Sequence, residues 1–153
     1  MDLKGRVAVV TGANQGFGRA VAERFVRAGA DVLLVARGEE RLRQVRDELS
    51  PLAEHSGQQV LALRGDVARP EDCSAVAEFA RKHFGGATVL VNNAGVYGPM
   101  GALDEVDWEA WADAVRINLC GTALMCRALI PLMRARGYGK IINLSGGGAT
   151  APL

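Results

Sequence analysis

The stretch Val7-Ala8-Val9-Val10-Thr11-Gly12-Ala13-Asn14-Gln15-Gly16-Phe17-Gly18 joins an apolar run to a helical pattern. Val7–Val10 predicts a buried strand, and downstream Phe17, Val21 and Phe25 recur at the spacing of one helix face. Glycines at such a junction let the backbone turn tightly and approach a ligand closely. The helix start then offers free N–H groups and the positive end of its dipole to an anion. The stretch therefore predicts a strand–turn–helix unit that binds a pyrophosphate.

Five apolar runs punctuate the chain, namely Val7–Val10, Val32–Val35, Val60–Leu63, Val89–Val91 and Ile141–Leu144. They are continuous rather than alternating, which is typical of strands that are covered on both faces in a parallel sheet. Helical patterns separate them, and the last extends from Trp108 to about Arg136. This order predicts one α/β domain over residues 1–153, a doubly wound parallel sheet of the Rossmann type in three layers. We expect the sheet to be truncated after the fifth strand.

The last helical region carries two apolar faces. One holds Trp111, Ala112, Val115, Leu119, Thr122, Cys126, Leu129 and Met133, and the other holds Ala114, Ile117, Gly121, Met125, Ala128 and Leu132. A helix on a sheet needs only one apolar stripe. We therefore expect the face around Met125 to be exposed and to meet either a second subunit or a further segment of the chain.

Charge, apolar runs and cysteine spacing limit the kinds of partner, membrane segment and metal site that we expect for this chain. The formal net charge of +1 gives no reason to expect nucleic acid or a charged membrane surface. Met1–Arg6 leads straight into the first strand without a signal-peptide pattern, and no uninterrupted apolar run reaches the length of a membrane span. Cys73, Cys120 and Cys126 lack metal-ligand spacing, so we expect buried free thiols and no metal site. The chain is interpreted as cytoplasmic, with no membrane partner.

Further motifs follow the other strands in order. Asp66-Val67 ends the third strand, Asn92-Asn93-Ala94-Gly95 follows the fourth, Asn118 lies in the last helical region, and Gly139-Lys140-Ile141-Ile142-Asn143-Leu144-Ser145 contains the fifth strand. Together with the Thr-Gly-x-x-x-Gly-x-Gly pattern of Thr11–Gly18, these motifs resemble those of the short-chain dehydrogenase/reductase family. The resemblance covers essentially the whole chain.

The resemblance implies a set of site residues. It assigns cofactor binding to Gly12, Asn14, Gly16, Phe17, Gly18, Arg37, Asp66, Val67, Asn93, Ala94 and Gly95, and catalysis to Asn118 and Ser145. Asp66 would accept hydrogen bonds from the exocyclic amine of adenine, and the small residues after the fourth strand would lie against ribose and nicotinamide. Structural interpretations stay open for Thr11 and Asn92, which can tie strands together, and for Asn118, which can satisfy backbone groups at a kink.

Arg37 bears on the choice of cofactor. Dinucleotide folds commonly have an acidic residue after the second strand to bind the ribose hydroxyls, whereas a nearby arginine accommodates a 2′-phosphate. Here Val35-Ala36-Arg37-Gly38 offers a guanidinium and no carboxylate at that turn. Glu39 and Glu40 come later, where they suit the first turn of a helix. We therefore favour NADP(H), with NAD as the alternative.

The chain also departs from the family pattern. The family's proton donor is the tyrosine of a Tyr-x-x-x-Lys motif, and neither Tyr97 nor Tyr138 has a lysine four residues later. We therefore expect an N-terminal fragment of a longer enzyme, inactive alone, whose fifth strand is an unpaired edge. Family members often have two serines at the catalytic position, whereas here Ser145 is followed by Gly146.

The resemblance implies an NAD(P)-dependent oxidoreductase that transfers hydride between nicotinamide and a small alcohol or carbonyl substrate. In the longer enzyme, Ser145 would orient the carbonyl oxygen and Asn118 would support a proton-relay water. The alternative is a dinucleotide-binding regulator or scaffold without turnover. We expect a homodimer or homotetramer for the longer protein.

Overall fold

A single parallel sheet of five strands organises the computed structural model, which describes residues 2–146. The strands are β1 Val7–Thr11, β2 Asp31–Ala36, β3 Val60–Arg64, β4 Val89–Asn92 and β5 Lys140–Asn143. Their order across the sheet is β3-β2-β1-β4-β5, and every neighbouring pair is parallel. The order reverses direction between β1 and β4, which is where open α/β sheets bind ligands. The predicted doubly wound Rossmann-type sheet is confirmed.

Helices cover both faces of the sheet. They are α1 Gly16–Arg27, α2 Glu39–Leu49, α3 Pro70–Phe84, α4 Trp108–Val115 and α5 Gly121–Ala135, with a short 3₁₀ turn at Ser50–Leu52. One buried cluster joins alternate strand residues to α1 and α2, and a second joins the opposite strand faces to α3 and α5. This explains the continuous apolar runs, because β1, β2 and β4 are buried on both faces.

The last helical region is interrupted by a π-helical turn at Arg116–Cys120, which joins α4 to α5. The expectation that the face around Met125 is exposed is wrong, since Met125 is 1% exposed and packs in the second core cluster. The exposed large apolar residues of this region are instead Trp108 (62%), Trp111 (38%) and Leu119 (67%). A π turn takes more residues per turn than an α-helix, so it shifts the face that α5 presents relative to α4. A single helical period drawn through both segments therefore placed Leu129 and Met133 correctly but put Gly121 and Met125 on the wrong face.

The same region bears on the membrane expectation. Trp108–Ala135 forms 28 helical residues that, by length and composition alone, are apolar enough to span a membrane. Leu129 and Met133 pack with α3 and the sheet in the second core cluster, although only 17% of the most apolar 18-residue stretch is buried. The sequence argument from uninterrupted runs was therefore too strict to exclude such a segment.

Strand β5 forms the outer edge of the sheet in the described part of the chain, paired to β4 along Lys140–Asn143. Ile141 and Ile142 are 38% and 45% exposed, although they alternate between the two faces of the strand. The expectation of an edge at the fifth strand agrees with this arrangement. Both faces of β5 present apolar surface.

Candidate functional site

A cleft of about 620 Å³ opens at the carboxyl ends of the strands. It is lined by all but one of the predicted cofactor-binding residues: Gly12, Asn14, Gly16, Phe17, Arg37, Asp66, Val67, Asn93, Ala94 and Gly95. Gly18 is buried beneath the turn rather than lining the cleft. Sequence reasoning missed Gly65 and Ile117, which also line it. Gly65 precedes Asp66 and could have been found from its place at a strand end, whereas Ile117 depends on the π turn.

The turn between β1 and α1 depends on close approach at Gly18. A Cβ atom at this position would lie 2.4 Å from the carbonyl oxygen of Gly12 and 2.4 Å from Nδ2 of Asn93. The start of α1 carries no side-chain cap and no acidic residue in its first turn. No side-chain cap within α1 therefore occupies the first N–H groups of the helix. Gly16, at this end of α1, lines the cleft. This arrangement suits an anionic group.

Thr11 fastens the end of β1 to the turn after β4. Its hydroxyl donates to the carbonyl of Val91 (3.3 Å) and accepts from the backbone N–H groups of Asn93 and Ala94 (3.0 Å each). The Asn93 amide nitrogen donates to the carbonyl of Thr11 (2.9 Å). The interpretation of Thr11 as a link between the first and fourth strands is confirmed. These bonds hold two walls of the cleft together.

Asn92 also acts as a link between strands. Its amide nitrogen donates to Oδ1 of Asn143 at 2.9 Å, which ties the end of β4 to the end of β5. Asn92 is 5% exposed, and the cleft lining does not include it. The structural interpretation of this asparagine therefore agrees with the contacts, while its neighbour Asn93 lines the cleft.

The turn after β3 brings Asp66 and Val67 to the cleft. Val67 is 8% exposed and packs tightly against α5, because a Cβ atom at Gly121 would lie 2.8 Å from a Val67 methyl carbon. The Cys73 thiol donates to the carbonyl of Val67 at 3.4 Å. Burial, followed by the nearby carboxylates of Asp72 and Asp66, raises the pKa of this thiol to about 11. Cys73 is therefore a neutral donor beneath the turn.

The other cysteines differ from Cys73. Cys120 is exposed in the π turn, and Cys126 is partly buried, so the expectation of three buried thiols holds for Cys73 alone. Both lie in the segment whose buried side was partly misassigned from the sequence.

Arg37 lies at the rim of the cleft directly after β2 and is exposed. Within residues 2–146, the structure describes no ion pair for Arg37, whereas Glu39 pairs with Arg43 along α2. Glu39, the first acidic residue after β2, is thus paired with an arginine of its own helix. The rim of the cleft therefore carries a guanidinium that pairs with no carboxylate in the described part of the chain.

The two residues predicted to be catalytic lie outside the cleft lining. Asn118 sits in the π turn, where its Oδ1 accepts from the N–H of Val96 (2.9 Å) and its Nδ2 donates to the carbonyl of Val96 (2.7 Å). It therefore holds the loop that follows Gly95. Ser145 is exposed two residues beyond β5, after Leu144, whose N–H donates to the carbonyl of Asn92.

Comparisons with known proteins agree with this geometry. A family model described as short chain dehydrogenase matches residues 6–153. L-sorbose reductase from Gluconobacter frateurii, crystallised with NADPH and L-sorbose, is similar at a TM-score of 0.92 and 40% identity, covering 100% of this chain and 57% of that one. A metagenomic short-chain oxidoreductase in complex with NADP has a TM-score of 0.88 and 36% identity, with coverages of 99% and 66%.

Among curated proteins, L-fucose dehydrogenase from Oryctolagus cuniculus is 35% identical over 141 residues, which are 92% of this chain and 46% of that protein. The chain spans about half the length of the curated relatives it matches.

Proposed function

The chain belongs to the short-chain dehydrogenase family, and we propose on this premise that its cleft binds NADP(H) for hydride transfer with a small alcohol or carbonyl substrate. One observation carries the proposal. The uncapped start of α1, the carboxylate of Asp66 and the guanidinium of Arg37, which has no ion pair among residues 2–146, converge on one cleft at the sheet's switch point. These are the chemical groups that a pyrophosphate, a 2′-phosphate and an adenine amine require.

The proposed assignment follows the walls of the cleft. The pyrophosphate lies at Gly12–Gly18, the adenine between Asp66 and Val67, and the 2′-phosphate at Arg37. The ribose and nicotinamide lie against Asn93–Gly95, where small residues leave the backbone accessible. Bound NADP(H) supplies the hydride chemistry, and the protein contributes binding and orientation.

Catalysis requires more groups than the cleft contains. We assign Ser145 to orienting the substrate oxygen and Asn118 to the proton relay, as the family resemblance implies. The 153 residues contain no Tyr-x-x-x-Lys motif. We therefore propose that this stretch alone does not turn over substrate, since a positioned acid/base supplies about 10²–10⁴ in rate.

An alternative function is dinucleotide binding without turnover, as in a regulator or scaffold. It is favoured by the Asn118 amide, whose donor and acceptor are both used by Val96. The two functions share the cleft and differ at the proton donor. A chain extended to include a Tyr-x-x-x-Lys segment that reduces carbonyl compounds with NADPH would exclude the alternative.

The cofactor assignment is tested by Arg37→Asp. Removing a charge-assisted hydrogen bond to phosphate and placing a carboxylate there should weaken NADPH binding by about tenfold or more, because such a bond contributes about 1.5–3 kcal/mol. NADH binding should be unchanged or improved, since a carboxylate can accept from the ribose hydroxyls. Fluorescence titration of both cofactors measures this.

Arg24→Asp is the matched control, because Arg24 is exposed on α1 and does not line the cleft. It changes the net charge equally and should leave the NADPH-to-NADH preference unaltered. Unchanged NADPH affinity in Arg37→Asp would reject the 2′-phosphate assignment.

A further inference from the structure

A carboxylate outside the cleft lining fixes the backbone of the turn that follows β3. Oδ2 of Asp72 accepts the backbone N–H of Asp66 at 2.8 Å. Asp72 is the third residue of α3, and its side chain is partly buried under the turn. The bond joins the first turn of a helix to a residue that lines the cleft.

The direction of this bond is unusual for an acidic residue at the third position of a helix. In a capping box, such a residue reaches back to the N–H of the N-cap residue, which here is Arg69. Asp72 reaches three residues further upstream, to Asp66. Its carboxylate therefore serves the turn rather than the N-cap.

The remaining groups of the turn are also constrained. Oδ1 of Asp66 accepts the N–H of Ala68 at 3.0 Å, and the carbonyl of Asp66 accepts the N–H of Arg69 at 3.0 Å. Gly65 donates its N–H to the carbonyl of Ala36 in β2. For Oδ2 of Asp66, the structure describes no hydrogen-bond partner within residues 2–146. One oxygen of this carboxylate is held, and the other is available to a ligand.

We propose that Asp72 is a positioning residue for adenine recognition, which rests on the proposed cofactor assignment. By fixing the N–H of Asp66, it sets the backbone from which Asp66 presents Oδ2 to the 6-amino group of adenine. Without Asp72, the N–H of Asp66 loses its hydrogen-bond acceptor, and the backbone of the turn shifts so that this N–H can bond to water. Asp66 then keeps its charge, but its carboxylate is no longer held in the position from which Oδ2 meets the 6-amino group.

The experiment compares NADPH with its hypoxanthine analogue, in which a carbonyl replaces the 6-amino group. The unsubstituted protein should prefer NADPH by about tenfold or more, since one hydrogen bond to a charged group contributes about 1.5–3 kcal/mol. Asp66→Ala should reduce the preference to near unity. Asp72→Ala and Asp72→Glu, which moves the oxygens by one methylene, should reduce it at least about threefold. Asp72→Asn keeps an acceptor oxygen and should preserve it.

Glu71→Ala is the matched control. Glu71 is the adjacent acidic residue in the same helical turn, is exposed and pairs with Arg69 at 2.7 Å. Its removal changes the charge at the start of α3 equally and should leave the preference unaltered.

Two results would overturn the inference in distinguishable ways. In the first, Asp72→Ala and Asp72→Glu weaken the binding of NADPH and of its hypoxanthine analogue by the same factor, as general damage to the site would. If they do so while Asp66→Ala abolishes the preference, Asp72 is merely structural and the cofactor assignment stands. If Asp66→Ala leaves the preference intact, the adenine does not lie at Asp66, and both the assignment and the inference fail. Asp72→Glu keeps the test available should Asp72→Ala not fold.

Discussion

Substitution of Gly18 by alanine should destabilise the fold through a collision that the structure locates. The new Cβ would lie 2.4 Å from Gly12 O and 2.4 Å from Asn93 Nδ2, far inside contact distance. Relief requires the Asn93 amide to leave the carbonyls of Thr11 and Gly12, which it contacts at 2.9 and 3.3 Å. The Gly12 backbone must move as well.

The expected magnitude follows from these contacts. Overpacking a tight site costs about 1–3 kcal/mol, and each lost hydrogen bond adds about 1 kcal/mol. With both Asn93 bonds lost, we expect Gly18→Ala to lower the free energy of unfolding by about 3–5 kcal/mol. With a mid-range urea dependence of about 2 kcal/mol per M, the unfolding midpoint should fall by about 1.5–2.5 M. Circular dichroism during urea titration measures this.

Gly16→Ala separates ligand contact from fold damage. Gly16 has φ +55°, and a Cβ there meets nothing within 4 Å, so the cost to stability is the left-handed backbone, about 1–2 kcal/mol. The same holds for Gly57, with φ +88° and open space, in the loop before β3 at the opposite end of the strands. Both variants should lose similar stability. Gly16→Ala alone should weaken NADPH binding, because its methyl group enters the pyrophosphate space.

Two outcomes would refute this reasoning. A Gly18→Ala variant with an unchanged urea midpoint would mean that the turn between β1 and α1 does not pack as described. Equal NADPH affinity in Gly16→Ala and Gly57→Ala would mean that the pyrophosphate does not lie at the start of α1.

Three further predictions concern other parts of the molecule. Thr11→Val leaves the N–H groups of two residues without their acceptor and should lower stability by about 1–3 kcal/mol, whereas Thr11→Ser should restore most of it; equal urea midpoints would contradict this. Folding raises the pKa of the Cys73 thiol from its ordinary 9.0 to about 11. The contribution of the neutral thiol to the stability of the fold is therefore fully present below pH 9 and is lost as the pH rises toward 11. The native protein should therefore lose more stability between pH 8 and 10.5 than Cys73→Ala, and a similar loss in both would contradict it. Leu119 is 67% exposed in the π turn, and we propose that this apolar side chain packs against a second copy of the chain; Leu119→Glu should lower the sedimentation-derived mass, and an unchanged mass would reject that interface.

The doubly wound parallel sheet and most of the cleft lining were predictable from the sequence. Strand ends in a parallel sheet meet at one edge, so Gly12, Asp66 and Asn93 could be brought together from their places after apolar runs alone. The link made by Thr11 was also accessible, because a hydroxyl at a buried strand end must find partners.

Contacts that depend on helix phase could not be predicted. The π turn at Arg116–Cys120 has no simple pattern in apolar spacing, so Leu129 and Met133 were placed correctly on the buried side of α5 while Met125 was placed outside. The bond from Asp72 to Asp66 was likewise hidden, because an acidic residue in a first helical turn normally indicates capping. Side-chain bonds across a turn require coordinates.

Equilibrium titration of the protein with NADPH, followed by cofactor fluorescence, tests the central claim most directly. We expect saturable binding of one NADPH per chain, tighter than NADH and competed by adenosine 2′,5′-bisphosphate, which carries the adenine and the 2′-phosphate. Absence of saturable NADPH binding, in protein shown by circular dichroism to be folded, would contradict it.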